Sequence, residues 1–288
     1  MADIIDGKKI AGEIFDELRE RVAVLKDKGV VPGLAVILVG EDPASVTYVR
    51  LKGKDARKVG IESVTHKMPP ATEPDDLEEI IDSLNADDSI HGILLQTPIP
   101  KHLDEPAFLQ RIRPDKDIDG LHPVSQGLLM QGRPRFVPCT PFGVQQLLVR
   151  TGVEIAGQHV VIVGRSVLVG RPLSVLLSNK ADGANATVTL CHTGTRDLAR
   201  YTKQADILVA AAGSPGMITA DHVSEGAVVI DVGTTPDAEG KLVGDVDFEA
   251  VSQKARAITP VPGGVGPMTR AMLMANTVRS AELFAGLL

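Results

Sequence analysis

The sequence predicts an α/β protein of two domains, an N-terminal three-layer domain on a parallel sheet and a second parallel-sheet domain, separated by a cleft. Three observations carry the prediction. Short apolar runs such as Leu34 to Val39 and Val160 to Val163 alternate with longer stretches of helical spacing, the pattern of repeated βαβ units. The 288 residues exceed one ordinary domain and suit two. The segment Gly164-x-Ser166-x-x-x-Gly170-x-Pro172 turns a buried strand tightly into a helix.

Each element has its own signal. Ile14, Leu18, Val22 and Leu25 share one face of a helix expected over residues 10–28. Leu34 to Val39 is a buried strand ending at Gly40. A helix over 43–59, a strand over 61–66, a helix over 73–85 and a strand over 90–95 follow. Together they form a βαβαβ unit whose strands run parallel with right-handed connections. Residues 98–138, rich in proline, glycine and charge, read as loops and short helices lining a site, and 141–151 as a helix into the second domain. That domain opens with strand 160–163, then helix 171–179, strand 186–191, helix 198–203 and strand 207–211, which Gly213 closes. Strands over 228–232 and 241–243 precede a final helix over 267–287, with Met268, Met272, Ala275 and Val278 on one stripe. This helix is expected to cross back, giving a discontinuous first domain of 1–139 plus 267–288 and a second of 140–266.

The glycine turn carries the first chemical signal. Val160 to Val163 suits a central strand, and Gly164 ends it where the backbone must turn. Gly170 lets the next helix pack closely, and Pro172 fits a first helical turn, where its missing N–H costs nothing. Free N–H groups at a helix N-terminus attract an anion, and Arg165 and Ser166 add a cation and a hydroxyl. The usual dinucleotide fingerprint is Gly-x-Gly-x-x-Gly, so this spacing alone is a weak signal. Its context strengthens it. The strand ending at Cys191 begins about 20 residues on, where a Rossmann-type domain places the adenosine ribose. Sites for NAD put Asp or Glu at the end of that strand. Here His192, Thr193, Gly194, Thr195 and Arg196 come before the first acid, Asp197. A 2′-phosphate would be attracted by Arg165, His192 or Arg196, so NADP is expected over NAD. Arg196 fits a solvent-facing helix start equally well.

Composition narrows the class. The chain is 43% hydrophobic and 3% aromatic with no Trp, so its core is built from Val, Leu, Ile and Ala. A formal charge of −7 argues against a nonspecific nucleic-acid surface. Two cysteines, Cys139 and Cys191, make neither a disulfide scaffold nor a metal cluster, and no metal is expected. Acidic residues at the start argue against a signal peptide, and every apolar run is far short of a membrane span. A cytoplasmic protein without nucleic-acid or membrane partners is the expectation.

Several polar groups stand where open α/β sheets bind ligands. Tyr48 and Lys52, four apart, leave one face of a helix that follows the C-terminal edge of a strand. Spacing alone favours an exposed basic helix for them. Gln96 follows the third strand, and its amide can reach Lys52 across that edge. In Arg113-Pro-Asp-Lys-Asp-Ile-Asp-Gly120 three acids surround Lys116, and Asp119-Gly120 suggests an inward turn. A carboxylate there can accept two N–H bonds from a heterocyclic amide and amine. Thr259-Pro-Val-Pro-Gly-Gly-Val-Gly-Pro-Met-Thr269 suits laying backbone against a flat ligand and opening a helix.

Taken together these motifs resemble the methylenetetrahydrofolate dehydrogenase/methenyltetrahydrofolate cyclohydrolase family, bifunctional folate enzymes of one-carbon metabolism. The most specific pieces are Tyr48-Val-x-x-Lys52 with Gly53-Lys54-Asp55-Ala56, Gln96-Thr-Pro-Ile-Pro100, Lys116-Asp-Ile-Asp-Gly120, Gly164-Arg-Ser-x-x-Val-Gly-Arg-Pro172, Thr187-Val-Thr-x-Cys-His192 and Pro260-Val-Pro-Gly-Gly-Val-Gly-Pro-Met-Thr269. The resemblance spans essentially the whole chain. It implies that Lys52 is the catalytic lysine, with Gln96 orienting it and tuning its proton affinity. Tyr48 would stack on the aminobenzoyl ring, and Asp119 would grip the pterin, with Asp117 the second choice. Pro262 and Gly263 would form one wall of the folate site. Arg165, Ser166 and Thr193 would hold NADP phosphates beside Gly164, Gly170, His192, Arg196 and Gly213. Relatives often carry Ser where this chain has Thr193, and Ile-Asn where it has Thr234-Thr235. Thr193 keeps a hydroxyl, whereas Thr234 would alter contact with the nicotinamide end. Tetrahydrofolate derivatives are the implied substrates, and a homodimer the implied assembly.

Overall fold

A computed structural model describes residues 1–288. In chain order its elements are β1 (Asp3–Ile4), α1 (Gly7–Asp27), β2 (Gly33–Val39), α2 (Pro43–Val59), β3 (Glu62–Met68), α3 (Pro74–Ala86), β4 (Gly92–Gln96), α4 (Glu105–Arg111), α5 (Pro123–Met130), α6 (Cys139–Arg150), β5 (His159–Val163), α7 (Gly170–Ser178), β6 (Thr187–Cys191), α8 (Leu198–Thr202), β7 (Ile207–Ala210), β8 (Val228–Asp231), β9 (Thr235–Pro236), β10 (Leu242–Val243), α9 (Phe248–Ser252), β11 (Ala257–Ile258) and α10 (Val265–Phe284). They form two compact units. The first comprises Glu13–Cys139 with Arg270–Leu288, and the second Met1–Gly12 with Thr140–Thr269.

The first unit holds a three-stranded sheet in the order β3-β2-β4, every pair parallel. All seven residues of the central strand β2 are buried, which is why Gly33-Leu-Ala-Val-Ile-Leu-Val39 is apolar without alternation. On one face Ala35, Ile37 and Val39 join Leu77 and Ile81 of α3 and Phe108 of α4 in a single core. Helix α2 is set by its punctuation. The Asp42 carboxylate accepts the Ser45 N–H at 2.8 Å, Pro43 opens the first turn, and Gly60 at φ +88° closes the last. Beyond β4 the chain at Asp117 forms a parallel bridge with Ile93, extending the sheet by one short contact.

The second unit is a six-stranded sheet in the order β1-β11-β8-β7-β5-β6, all of its pairs parallel. Its central strands β5, β7 and β8 are apolar and almost wholly buried. The short pair β9–β10 is antiparallel and lies outside this sheet. No helix is long and apolar enough to cross a membrane.

The domain boundaries differ from those read from sequence. Residues 1–12, expected in the first domain, belong to the second unit because β1 pairs with β11, Asp3 opposite Ala257. Within α10 the change of unit falls between Thr269 and Arg270 rather than at 267. Both strands of the β1–β11 pair are only two residues long, too short to show a period in the sequence.

Candidate active site

The first group of polar side chains sits at the C-terminal edge of the β3-β2-β4 sheet. Lys52 projects from the third turn of α2, one turn beyond Tyr48 on the same face. Its Nζ donates to Oε1 of Gln96 at 2.8 Å. Gln96 is the last residue of β4, and its Nε2 donates to the Thr97 carbonyl at 2.8 Å. Both ends of the amide are therefore committed, and its oxygen faces the lysine. Burial pushes the Lys52 amine below the usual lysine range, and the Arg270 cation acts in the same direction. The Asp119 carboxylate opposes the shift.

The two aspartates of the Asp-Ile-Asp segment have separate tasks. Asp117 is buried, and its carboxylate accepts Leu121 N–H at 3.2 Å, His122 N–H at 2.9 Å and the Ser125 hydroxyl at 2.6 Å. Those bonds close the loop onto α5 and engage both carboxylate oxygens, so Asp117 has a structural task whether or not it meets a ligand. Even with three donors, desolvation dominates and raises the Asp117 carboxyl to about 6. Asp119 is only partly buried and lies against the thiol of Cys139. Gly120, at φ +72°, makes the turn after it, and a Cβ there would press on Pro138. Lys116 is buried for structural reasons. Its ammonium donates to the Leu84 and Asp87 carbonyls at 2.9 and 2.7 Å, stitching the loop to the end of α3.

Sequence reasoning gave no part in this site to Cys139, Asp55 or Arg270. Cys139 is fully enclosed, and burial, with Asp119 next, pushes its thiol well above the usual value. Arg270 Nε donates to Asp55 Oδ2 at 2.8 Å, tying α10 to α2. No local pattern could reveal a bond between residues 215 positions apart.

The second unit builds the glycine turn as expected. Gly164 stands at φ +125°, and a Cβ on it would collide with the Ala211 carbonyl oxygen at the end of the neighbouring strand. A Cβ on Gly170 would strike the carbonyl oxygen of Gly164, so α7 starts directly against the turn. Ser166 Oγ accepts the Val169 N–H at 3.1 Å and keeps its own hydrogen to donate, while Arg165 is exposed beside it. After β6, His192 and Thr195 close a second turn: Thr195 Oγ1 accepts the His192 N–H at 2.9 Å, and His192 Nδ1 accepts the Gly194 N–H at 3.0 Å. Thr193 and Arg196 are exposed on this turn. A cradle closed to any Cβ, an exposed guanidinium and a free hydroxyl hydrogen fit the phosphates of a dinucleotide.

Gly213 lies in an exposed loop held by a buried carboxylate. Its backbone N–H, with those of Ala212 and Ser214, donates to the buried carboxylate of Asp245 at 2.9, 2.6 and 2.7 Å. That N–H is thus occupied within the protein, and Gly213 shapes the loop through its φ of +66°. Asp231, also buried, receives the N–H groups of Gly233, Asp245 and Val246 and fixes the base of the same clamp. Thr234 is exposed on the segment that follows β8. Pro262 is exposed and Gly263, at φ +121°, is buried in the turn that opens α10, with the Lys8 side chain beside it.

A parallel βαβαβ unit with a desolvated lysine at its strand ends, followed by a Rossmann-type unit, defines a two-site nucleotide-dependent enzyme. Sequence comparison agrees over almost the whole chain. The profile of the tetrahydrofolate dehydrogenase/cyclohydrolase catalytic domain matches residues 5–119, and that of the family's NAD(P)-binding domain matches residues 138–285. The chain belongs to the tetrahydrofolate dehydrogenase/cyclohydrolase family. The bifunctional protein FolD of Dehalococcoides mccartyi strain CBDB1 is 56% identical over 293 aligned residues, covering 100% of this chain and 99% of that protein. Among solved structures, the bifunctional FolD of Campylobacter jejuni is 46% identical with a TM-score of 0.95, covering 98% of this chain and 99% of that one. The Trypanosoma brucei enzyme, complexed with NADP cofactor and inhibitor, is 42% identical with a TM-score of 0.92, covering 98% of each chain. A shikimate dehydrogenase from Aquifex aeolicus, 11% identical with a TM-score of 0.53, shares the fold alone.

Proposed function

We propose that this protein oxidises 5,10-methylenetetrahydrofolate to the 5,10-methenyl form with NADP and hydrolyses that product to 10-formyltetrahydrofolate. The observation that carries the reading is the Lys52–Gln96 bond at the strand ends, a desolvated amine oriented by a neutral amide. Bound NADP supplies a hydride acceptor for the methylene carbon, whose neighbouring nitrogens stabilise the cation left behind. Gly164, Gly170, Arg165, Ser166 and Thr193 hold its phosphates, and His192 and Arg196 are the candidates for the 2′-phosphate. Tyr48 supplies an aromatic face for the substrate, and Asp119 an acceptor for two N–H groups of its pterin.

Hydrolysis is the step that needs protein acid–base chemistry. Water adds to the methenyl carbon and loses a proton. The tetrahedral adduct then breaks its bond to N5, which takes up a proton, while the hydroxyl gives its own proton to water and becomes the formyl C=O on N10, so that one proton is released overall. Lys52 is the group placed to take the first proton and return the second. An ordinary ammonium is a poor base at neutral pH, so the lowered proton affinity matters here. Gln96 accepts from Nζ without adding a charge, which holds the amine in place without stabilising its ammonium form as a carboxylate would.

The reading is tested by supplying 5,10-methylenetetrahydrofolate with NADP or NAD and following reduced cofactor together with methenyl and 10-formyl products. Both products with a strong NADP preference are expected. Hydrolysis of supplied methenyl substrate without cofactor reduction would restrict the protein to a cyclohydrolase. A cytoplasmic homodimer belongs to the same proposal, and light scattering would then give twice the 30.5 kDa chain mass.

A further inference from the structure

We propose that Arg270, anchored by Asp55, is a positioning residue for Lys52, holding a fixed cation beside the lysine-bearing turns of α2 and favouring the free amine that hydrolysis needs. This rests on the assignment of Lys52 as the proton-transfer group. Asp55 lies three residues after Lys52 on α2, so the two share a face. Its side chain is only 5% exposed, that of Arg270 19%, and the Nε to Oδ2 distance is 2.8 Å. A buried ion pair is a poor device for stability alone, because apolar side chains of similar volume would join two helices as well. The local charge balance suggests another use. Lys58 Nζ lies 3.7 Å from the other oxygen of Asp55, so two cations share that carboxylate.

The groups acting on Lys52 come from several elements. Gln96 on β4 is neutral, as is the buried Cys139 thiol at the start of α6, whereas Asp119 in the loop beyond β4 and Asp55 on the same face of α2 favour the ammonium and Arg270 on α10 opposes it. Arg270 is thus the cation set against two groups that would hold the proton on. Without Asp55 the guanidinium has no anchor in that position.

The test is the pH profile of hydrolysis of supplied 5,10-methenyltetrahydrofolate, corrected for the uncatalysed rate, with Arg270→Gln, Arg270→Lys and the double variant Asp55→Asn/Arg270→Gln. The double variant leaves no buried carboxylate short of a partner, so it guards against simple misfolding. NADP binding by the other unit serves as a folding control. The limb on which activity rises with pH is expected to move upward by about half a unit or more in Arg270→Gln, and to stay near the wild-type position in the double variant, which removes anion and cation together. Arg270→Lys, which keeps the charge, is expected to stay near the wild-type profile. Reduced activity with an unmoved limb in all three variants would overturn the proposal, as would an equal shift in Arg270→Lys. Lys52→Met run in parallel separates the two ideas. If it hydrolyses normally, the Lys52 assignment itself fails. If it is inactive while the arginine variants keep the wild-type limb, only the role of Arg270 fails.

Discussion

Lys52 Nζ and Gln96 Oε1 are 2.8 Å apart, joining the third turn of one helix to the last residue of the neighbouring strand. A hydrogen-bonded amine whose proton affinity is reduced by burial is a better base than an ordinary lysine, whose ammonium holds its proton. Lys52→Met should lower hydrolysis of methenyl substrate by about 10²-fold or more, the usual worth of general acid–base catalysis. Single-turnover product formation measures this directly, and undiminished hydrolysis would remove Lys52 from the mechanism.

Arg165 has the opposite signature. It stands exposed at the glycine turn of the second unit. Arg165→Ala should weaken NADP binding by about 10- to 100-fold, the value of a charge-assisted phosphate contact, while cyclohydrolase activity persists. Calorimetric titration with NADP and a hydrolysis assay on one preparation check both halves. Equal loss of both activities would point to a folding defect.

Asp245 supports the cofactor unit without belonging to the cofactor turn. Its carboxylate receives three consecutive backbone N–H groups, and an amide in its place offers one oxygen and turns an N–H toward a donor. Asp245→Asn should cost about 2–3 kcal/mol of stability and raise the KM for NADP as the loop at 212–214 loosens. Denaturant unfolding and cofactor titration report the two effects. Unchanged values in both would show that the clamp is dispensable.

Asp117 predicts a pH dependence with a defined sign. Burial lifts its carboxyl from an ordinary 3.8 to about 6, so the folded state holds the proton more tightly than the unfolded chain. The stability this contributes is complete below 3.8 and is lost as pH rises through about 6. Wild type should therefore gain stability relative to Asp117→Asn as pH falls from about 7 to about 5. The constant loss of an acceptor in the variant offsets the two curves without changing that slope. Urea unfolding of both proteins across this window supplies the comparison, and parallel curves would contradict the raised value.

Much of this was readable from local signals. The helix expected over 43–59 is α2 with those bounds, and the strand-end position of Gln96 points to Lys52, to which its amide is bonded. Gly164 and Gly170 were expected to allow close approach, and both abut backbone that excludes a side chain. What stayed hidden depends on distant partners. Nothing near Gly213 announces that its N–H belongs to Asp245, 32 positions away, and β1 has two residues with no period to read. The roles of Asp117 and Asp119 separate only through burial and through Ser125, which lies a helix turn beyond the motif.

The pairing of β1 with β11 bears on how the protein can be made. As translation proceeds, residues 3–4 emerge long before residues 257–258, their partners, have been synthesised. The first unit waits as well, since Arg270–Leu288 closes it from the far end of the chain. Such late, non-local closure slows folding and leaves both units incomplete on the ribosome until the residues beyond 257 have been made. Dehydrogenase and cyclohydrolase therefore mature together, and a gene cut at residue 139 would yield two fragments that each lack a piece of their own unit.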